Sequence, residues 1–424
     1  MRVRCATFNA HLAKGKDLAS LPDDLRAWLG PSADEGDEEG ELPEFVAVGF
    51  QELIPLHLAL LGFTSPRLSR HIPLILPTLE PPSSSNSSSA RPSYVPIAQR
   101  AIGGIALVVF ARRDVSSRVE RVETATVGCG AAGLMGNKGA VGVRVTLLPF
   151  SGSGEKGGEG EGGNGVLTFV TAHLQAHQSE KHLRWRNRDW RSIVEGLVFI
   201  DERDGRERGV YETGQLFVFG DLNYRTSLHT PNSLPLSTLT SHISTLTTSS
   251  PSSSSFTSSH RSLLSNDQLT HERLAGRTLH HLSEAPISFA PTYKFKLGTD
   301  EYTLPKRIPS WTDRVLFASA VGEENVKAEE YRSVMSVVRS DHKPVTALFS
   351  LPSSSLSSSR LPFSSPFPIN PSWRLKQILG FVLDRLVGSV WCFAMLAGFN
   401  RSLRVGIVNI LLAALTVYYH RSYL

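Results

Sequence analysis

The sequence predicts one α/β domain over residues 1–349, with surface insertions and an apolar C-terminal segment after it. Short apolar runs typical of buried strands alternate with helical segments, and no clear break divides the series. Several of these runs end in polar side chains, and open α/β sheets bind their ligands at the carboxyl ends of strands. The chain of 424 residues is 41% hydrophobic, which is enough for a sizeable core.

Composition excludes several classes of protein. The hydrophobic content excludes a disordered chain. The three cysteines, Cys5, Cys129 and Cys392, are too few and too scattered for a disulfide framework or a zinc site, so we expect a reducing compartment. The net charge of +5 is modest and does not by itself indicate nucleic acid. The start MRVRCATFN lacks a long apolar stretch, and we expect the domain to begin in the cytosol.

The predicted strands share an apolar character and a bounding glycine or polar residue. They cover residues 3–9, 45–53, 103–111, 127–148, 166–177 and 215–221. The strands at 103–111 and 127–148 are expected to pair with each other around a glycine-rich turn. The last, QLFVFGD, has the continuous apolar run of a central strand, and Gly220 permits a tight turn at its end. Helices are predicted before Leu29 and around Trp190.

Three segments are predicted as insertions because Ser, Pro, Thr or Gly dominates them. They are residues 80–93, 151–165 and 231–265. The first is expected to be disordered and the second flexible. The third is polar enough that we predict a surface loop without a share in the core.

The C-terminal part is predicted as a Ser/Pro-rich, disordered linker, residues 350–372, and a hydrophobic tail, residues 373–424. The tail holds two apolar stretches, 386–399 and 405–419, and each is shorter than the roughly 20 residues that comfortably span a bilayer. A core helix or a partner-binding helix is one interpretation.

A membrane anchor is favoured because the tail follows a linker and carries an aromatic pair, Tyr418 and Tyr419, of the kind found at membrane interfaces. We expect one short span from residue 405 to about 420, with residues 374–399 at the interface. A short span favours a thin bilayer such as that of the endoplasmic reticulum.

Polar side chains at the predicted strand ends have the chemistry of one hard metal ion with acid and base groups. They are Asn9, Glu52, His173, Asp221, Asn223, Asp341 and His342. Magnesium prefers oxygen ligands and keeps several waters, so Glu52 alone can serve as a direct ligand. Asp221 could orient or deprotonate water, and His342 with a carboxylate partner could act on a phosphate. Each residue taken alone could equally be structural.

Eight motifs occur in one order along residues 3–349. They are TFN, GFQE, GLMGNKGAV, AHLQAH, GDLNYR, APTYKF, KRIPSWTDR and SDHKPV. The series resembles the inositol polyphosphate 5-phosphatase family, within the endonuclease/exonuclease/phosphatase superfamily. GDLN and SDH are shared across that superfamily, whereas GNKGAV and RIPSWTDR are more particular to the 5-phosphatases.

The resemblance implies a four-layer α/β/β/α sandwich, the DNase I-like fold, with two mixed sheets packed face to face and helices outside. It implies a magnesium site at Glu52, with Asn9 and Asp341 nearby. The catalytic roles that it implies are Asp221 for positioning or activating water, Asn223 and His173 for contacting the scissile phosphate, and His342 paired with Asp313.

The resemblance also implies that two groups of residues select inositol phosphates as substrates. Tyr293, Lys294 and Arg307 would hold the 4-phosphate, and Asn137 and Lys138 would face the 1-phosphate. Lysine and arginine bind phosphates well, and a glycine-rich turn brings the backbone close to an anion, which agrees with that division.

The chain departs from the family pattern in three places. Thr312 stands where the family often has cysteine, and Ala285 stands where it often has glycine. Pro305 stands where a basic residue is often found, and we expect Lys306 to compensate for it in substrate binding.

The sequence therefore predicts magnesium-dependent removal of the 5-phosphate from phosphatidylinositol 4,5-bisphosphate by direct attack of water. Soluble inositol 1,4,5-trisphosphate is the alternative substrate. A nuclease, a sphingomyelinase-like phosphodiesterase and a catalytically inactive phosphoinositide-binding adaptor are rivals of other classes. We expect a phosphoinositide substrate, a bilayer partner, no nucleic acid, a monomer, and a location on the endoplasmic reticulum membrane with the catalytic domain in the cytosol.

Overall fold

The computed structural model describes residues 1–11, 22–30, 42–80, 93–149, 165–226, 235–248, 253–304, 307–352, 358–399 and 401–422. The predicted insertions at 80–93 and 151–165 therefore lie almost wholly outside the described residues, and so does Lys306.

The strands are β1 (Arg2–Asn9), β2 (Phe45–Gln51), β3 (Tyr94–Ile102), β4 (Ile105–Arg112), β5 (Val119–Gly128), β6 (Gly139–Leu147), β7 (Gly165–His173), β8 (Phe199–Ile200), β9 (Glu207–Arg208), β10 (Gln215–Asp221), β11 (Asp313–Ser319), β12 (Lys327–Ser333) and β13 (Val345–Ser350). The helices are α1 (Pro22–Leu29), α2 (Leu56–Leu60), α3 (Thr64–Ile75), α4 (Arg113–Ser116), α5 (Glu180–Gly196), α6 (Leu236–Thr248), α7 (Ser254–Leu264), α8 (Gln268–Leu274), α9 (Trp373–Leu396) and α10 (Leu403–Ser422).

Two large sheets organise the described residues. The first sheet has the strand order β12-β13-β1-β2-β4-β3, and the second has the order β11-β10-β7-β6-β5. The predicted pairing of residues 103–111 with 127–148 is wrong, because β4 pairs with β3 and β2, whereas β6 pairs with β5 and β7. β4 forms a hairpin with β3, and β6 forms a hairpin with β5. β3 and β5 were not recognised as strands because they are partly exposed, mix polar with apolar residues and therefore lack an apolar run.

The two sheets pack face to face, and helices cover their outer faces. Phe217 of β10 lies between the sheets, with its ring centroid 5.5 Å from that of Phe169 on β7 and 5.5 Å from that of Phe349 on β13. Trp190 of α5 is fully buried in the outer core on the second sheet, and Trp28 of α1 is buried in the outer core on the first sheet. The four-layer α/β/β/α architecture is confirmed.

The prediction of a core-free loop at 231–265 is wrong for residues 236–248 and 254–264, which form α6 and α7. Ile243 and Leu246 of α6 and Phe256 and Leu263 of α7 are buried in the core cluster between the sheets. Each helix buries apolar residues spaced so that they share one face. The Ser253 hydroxyl caps α7 by accepting the Phe256 N–H at 3.2 Å, so serine-rich composition does not prevent a helix here.

The prediction of a disordered linker is wrong for residues 358–372. Leu361 is buried in the core beneath α5, and Phe363 and Phe367 pack against the same cluster. The Asn370 N–H donates to the Glu195 carbonyl of α5 at 2.8 Å. A few large apolar side chains hold this Ser/Pro-rich segment on the domain, because burying each one stabilises the packed state by a few kcal/mol.

The tail forms two helices, α9 and α10. Among the described residues, α9 is the helix long and apolar enough to cross a membrane, and 17% of its most apolar window is buried. Its 24 residues exceed the length expected from the 386–399 stretch, because the helix begins at Trp373. Within α10 the apolar part is the shorter stretch Leu403–Thr416, so among the described residues the helix that could span a membrane is α9 and not the predicted segment 405–420.

Candidate active site

Strand register brings the predicted site residues to one edge of the sandwich. On the second sheet, Asp221 ends β10 and stands opposite His173 of β7 on one side and Asp313 of β11 on the other. On the first sheet, Asn9 ends β1 opposite Gln51 of β2. Because β1 and β2 run parallel, as do β7 and β10, their carboxyl ends meet at one edge.

Asp221 lies at the centre of this edge and is 1% exposed. Its Oδ2 accepts a hydrogen bond from the Asn9 amide at 2.9 Å and lies 3.2 Å from His173 Nε2 and 3.9 Å from His342 Nε2. Burial opposes ionisation of the carboxyl, but nearby His342 and His173 outweigh burial and hold the pKa of Asp221 well below its usual value. Asp221 is therefore a fixed anion, better suited to orienting water than to storing a proton.

His342 and Asp313 form a buried pair beside Asp221. His342 Nδ1 lies 2.9 Å from Asp313 Oδ2, and the hydroxyls of Thr292 and Thr312 donate to the same oxygen at 2.7 and 2.8 Å. Burial disfavours the charged imidazole, but Asp313 and Asp221 raise the pKa of His342 to about 10. The pair therefore presents a protonated imidazole whose Nε2 faces the Asp221 carboxylate at neutral pH.

Oxygen donors suited to a hard cation surround this centre. Glu52, directly after β2, places Oε1 3.9 Å from His173 Nε2. The hydroxyl of Ser340, the residue before Asp341 in the chain, donates to the Asn9 carbonyl at 2.7 Å. This hydrogen bond places Asp341 next to Asn9. The carboxylate of Asp341 pairs with Lys294 at 2.5 Å and with His11 at 2.9 Å.

A second set of potential ligand atoms lies in the acid/base group itself. Among the described residues, Asp221, Asp313 and His342 bring such atoms within 4.8 Å of one another. Ligand atoms of both sets already bond within the protein, Asp313 with His342 and Asp341 with Lys294 and His11.

Cations converge on the mouth of the site. The Lys138 side-chain nitrogen contacts His173 Nε2. Burial lowers the pKa of His177, and the charges of Arg307, Arg225 and Lys138 lower it further. A site with this potential favours a ligand with several negative charges.

The TYK segment connects the cations to the catalytic pair. The Tyr293 ring lies 4.4 Å from the His342 ring between centroids, and the Arg225 guanidinium lies 4.3 Å from the Tyr293 ring centroid. Arg225 also donates to the side-chain oxygen of Asn223, while the Asn223 amide donates to the Leu174 carbonyl at 3.1 Å. Asn223 is thus held in place at the end of β10.

A comparison with protein families agrees with this geometry. Residues 6–348 match the sequence family described as Endonuclease/Exonuclease/phosphatase family 2. The chain belongs to this family.

The curated relatives of this family member include several inositol phosphatases. The chain is 30% identical over 327 residues to inositol-1,4,5-trisphosphate 5-phosphatase 1 of Schizosaccharomyces pombe, covering 77% of this chain and 25% of that protein. It is 33% identical over 266 residues to the human phosphatidylinositol 3,4,5-trisphosphate 5-phosphatase 1, covering 61% of this chain and 20% of that protein. The chain thus spans about a quarter of the length of these relatives. The resemblance to the inositol polyphosphate 5-phosphatases is confirmed.

Solved structures support the same fold. The inositol polyphosphate 5-phosphatase domain of SPsynaptojanin, in complex with inositol (1,4)-bisphosphate and calcium ion, has a TM-score of 0.60 and 25% identity, and the match covers 91% of this chain and 89% of that one. Cimex nitrophorin has a TM-score of 0.53 and 19% identity, with 82% of this chain and 97% of that chain covered. The nitrophorin match shows the fold alone, so chemistry within this fold depends on the site residues.

The structure places most of the predicted residues of this family member at one edge. Asn9, Glu52, His173, Asp221, Asn223, Tyr293, Lys294, Asp313, Asp341, His342 and Lys138 lie there, with exposed Arg307 at the mouth. Asn137 faces its own loop, where its side-chain oxygen accepts the Ala131 N–H at 3.3 Å.

Sequence reasoning missed Arg225, Thr292, Ser340 and His11 as site residues. The first three lie inside the motifs GDLNYR, APTYKF and SDHKPV, next to residues that were predicted. Their position in those motifs is the signal that could have found them. His11, two residues after Asn9, is identified only by its contact with Asp341.

Proposed function

We propose that this protein hydrolyses the 5-phosphate of phosphatidylinositol 4,5-bisphosphate at a membrane surface, giving phosphatidylinositol 4-phosphate and inorganic phosphate. The proposal rests on the proximity of two groups of side chains. An anionic centre with a protonated histidine lies directly beside a group of cations. The names of its relatives support the choice of an inositol phosphate over other phosphate esters.

In this mechanism Asp221 orients a water molecule toward the phosphorus, because its ionised carboxylate is fixed by Asn9 and His173. The protonated imidazole of His342, held by Asp313, stabilises negative charge that develops on the phosphoryl oxygens. His173 and Asn223 contact the scissile phosphate from the ends of β7 and β10. No covalent enzyme intermediate is required.

Magnesium fits the oxygen donors Glu52, Asn9 and Asp341. Burial lowers the pKa of Lys138, while the Asp221 and Glu52 carboxylates act in the opposite direction and favour a cation beside them. When bound, the ion would neutralise charge on the phosphoryl group and orient it for attack in line with the leaving oxygen.

Lys294, Arg307 and Lys306 would hold the 4-phosphate and Lys138 would face the 1-phosphate, whereas Asn137 would shape the loop that carries Lys138. These cations are the reason to prefer an inositol phosphate over a phosphodiester, which carries no ring of monoester phosphates. The lipid form is preferred because α9 and α10 expose apolar side chains, including Leu379, Phe393 and Leu411, that suit a bilayer. The endoplasmic reticulum remains the proposed membrane.

The decisive experiment measures phosphate release by the full chain from vesicles containing each phosphoinositide and from soluble inositol phosphates, with and without magnesium. We expect magnesium-dependent release with turnover highest on phosphatidylinositol 4,5-bisphosphate. If soluble inositol 1,4,5-trisphosphate is turned over faster, the preferred substrate is that soluble compound and not the lipid. DNA nicking without phosphate release would overturn the proposal in favour of a nuclease.

The Asp221→Ala variant tests the mechanism directly. We expect phosphate release to fall by about 1,000-fold or more, because the group that orients water is removed. Vesicle association, measured by co-sedimentation, should be unchanged since Asp221 lies far inside the site. Retained phosphate release would contradict the assigned role of Asp221.

A further inference from the structure

Helix α9 contacts the catalytic domain through one face. Its buried residues are Trp373, Gly380, Asp384 and Gly388, which recur at intervals of four or seven residues. Residues with this spacing lie on the same side of a helix. The other faces of α9 expose Leu379, Val382, Leu386 and further apolar side chains. The helix therefore has an inner face fitted to the domain and an apolar outer surface.

Two glycines allow the helix backbone to approach the domain closely. A Cβ atom at Gly380 would lie 2.3 Å from the Leu134 carbonyl oxygen, and one at Gly388 would lie 3.1 Å from Leu60 Cβ. The first position contacts the loop between β5 and β6, and the second contacts α2. The loop contact requires glycine, because a backbone carbonyl cannot move aside as a flexible side chain can.

Asp384 adds a specific polar contact between these glycines. Both of its carboxylate oxygens lie 3.0 Å from the backbone nitrogen of Gly136, which donates to them. The Asp384 residue is 6% exposed. A carboxylate is costly to bury unless hydrogen bonds compensate it, so this contact fixes how α9 and the loop meet.

The loop continues from this contact directly into the active site. Gly136 is followed by Asn137, whose side chain closes the loop on Ala131, and by Lys138, whose side-chain nitrogen contacts His173 Nε2. The Lys138 carbonyl accepts the Cys129 N–H at 2.7 Å, which completes the turn. Only Asn137 thus separates the Asp384 contact at Gly136 from the cation Lys138.

We propose that Asp384 is a positioning residue for substrate binding, and that α9 holds the Gly136–Lys138 segment in the arrangement that receives a substrate phosphate. The inference rests on the proposed function, because it takes Lys138 as a group that binds substrate. Asp384 itself touches neither the substrate nor the catalytic residues. Its effect reaches the site through the backbone of the loop.

The test compares full-length variants in detergent micelles with soluble inositol 1,4,5-trisphosphate, so that binding to a bilayer does not enter the result. Asp384→Ala should raise KM by about 10-fold, because it removes a charged acceptor from the loop, and should change kcat by no more than about 2-fold. Asp384→Asn keeps one oxygen acceptor and should restore most of the affinity. Leu386→Ala truncates an exposed side chain two residues away and should match the unmodified chain.

A second variant covers the case in which Asp384→Ala does not fold. Gly380→Ala displaces α9 from the Leu134 carbonyl while keeping the Asp384 carboxylate, and it should raise KM in the same direction. A kcat loss without a KM change in these variants, or a fall in melting temperature that Asp384→Asn does not reverse, would make Asp384 merely structural and overturn the inference.

Lys138→Ala separates failure of this inference from failure of the proposed function. If Lys138→Ala raises KM and Asp384→Ala and Gly380→Ala do not, the positioning role is wrong and the proposed substrate loop stands. If Lys138→Ala also leaves KM unchanged, the loop does not bind substrate, and both the loop assignment and the positioning role fail.

Discussion

The proposed catalytic floor and the proposed substrate rim of this site are built in different ways. The floor, defined as Asp221, Asp313 and His342, is at most 4% exposed. The rim, defined as Lys138, Lys294 and Arg307, is made of cations that retain exposed surface and lie on connecting segments. Asp221 and Asp313 lie on the paired strands β10 and β11, and His342 bonds to Asp313 from the segment before β13, whereas the rim depends on loops.

This difference indicates how one fold can keep its chemistry and vary its substrate. Strand register fixes Asp221 opposite Asp313, so their relative position follows from the sheet itself. Loop cations can be exchanged without disturbing those ladders, since connecting segments carry fewer constraints. Changes in the floor should therefore reduce kcat, and changes in the rim should raise KM.

The largest effect is expected for Asp313→Asn. The change leaves the shape of the floor but removes the negative charge that keeps His342 protonated, so kcat should fall by about 1,000-fold. Single-turnover phosphate release measures this loss. Asp204→Asn, at an exposed position on the turn between β8 and β9, is the matched control and should retain full activity. A KM effect without a kcat effect would contradict the division between floor and rim.

A smaller effect, on KM and not on kcat, is expected for Arg307→Ala. Removing a cation that binds phosphate should raise KM for inositol 1,4,5-trisphosphate by about 10-fold, with kcat within about 2-fold. Lys296→Ala is the control, because its ammonium already pairs with Glu301 at 2.7 Å on the surface. Steady-state kinetics on both variants checks the prediction. An equal response of the two variants would show that net charge, and not position, determines affinity.

The smallest effect is expected at Thr312, where the family often has cysteine. Thr312→Val removes one hydroxyl that donates to Asp313 Oδ2 and should lower kcat by about 5-fold, in line with the loss of a single hydrogen bond. Thr312→Ser keeps that hydroxyl and should remain close to the unmodified chain. If valine were tolerated fully, Thr292 alone would suffice to hold the Asp313 carboxylate.

The sequence predicts the ends of buried strands better than contacts between distant segments for a physical reason. The apolar run Leu216–Phe219 is typical of a covered strand, so the polar residue after it is expected at a sheet edge. The contact of Arg225 with the Tyr293 ring joins residues far apart in the chain. No local pattern encodes such a contact, so only the fold reveals it.

The Ser-rich segments show where composition misleads. Residues 254–264 contain few apolar side chains, yet Phe256 and Leu263 are placed to enter the main core and stabilise a helix. The linker is similar, because Leu361, Phe363 and Phe367 are sparse but bury against the domain. In both segments the burial of a few apolar side chains in the folded domain outweighs weak local propensity. Composition alone does not indicate which side chains will be buried.

The close fit of α9 also bears on how the enzyme can be prepared. A fragment that ends before Trp373 would lack one wall of the cavity of about 470 Å³ that α9 forms with Arg100, Thr126 and Leu134. It would also leave the Gly136 N–H without the Asp384 carboxylate. Such a fragment could retain the whole catalytic floor and still bind substrate poorly. Rate constants measured on it would describe the chemistry of the intact protein but not its affinity.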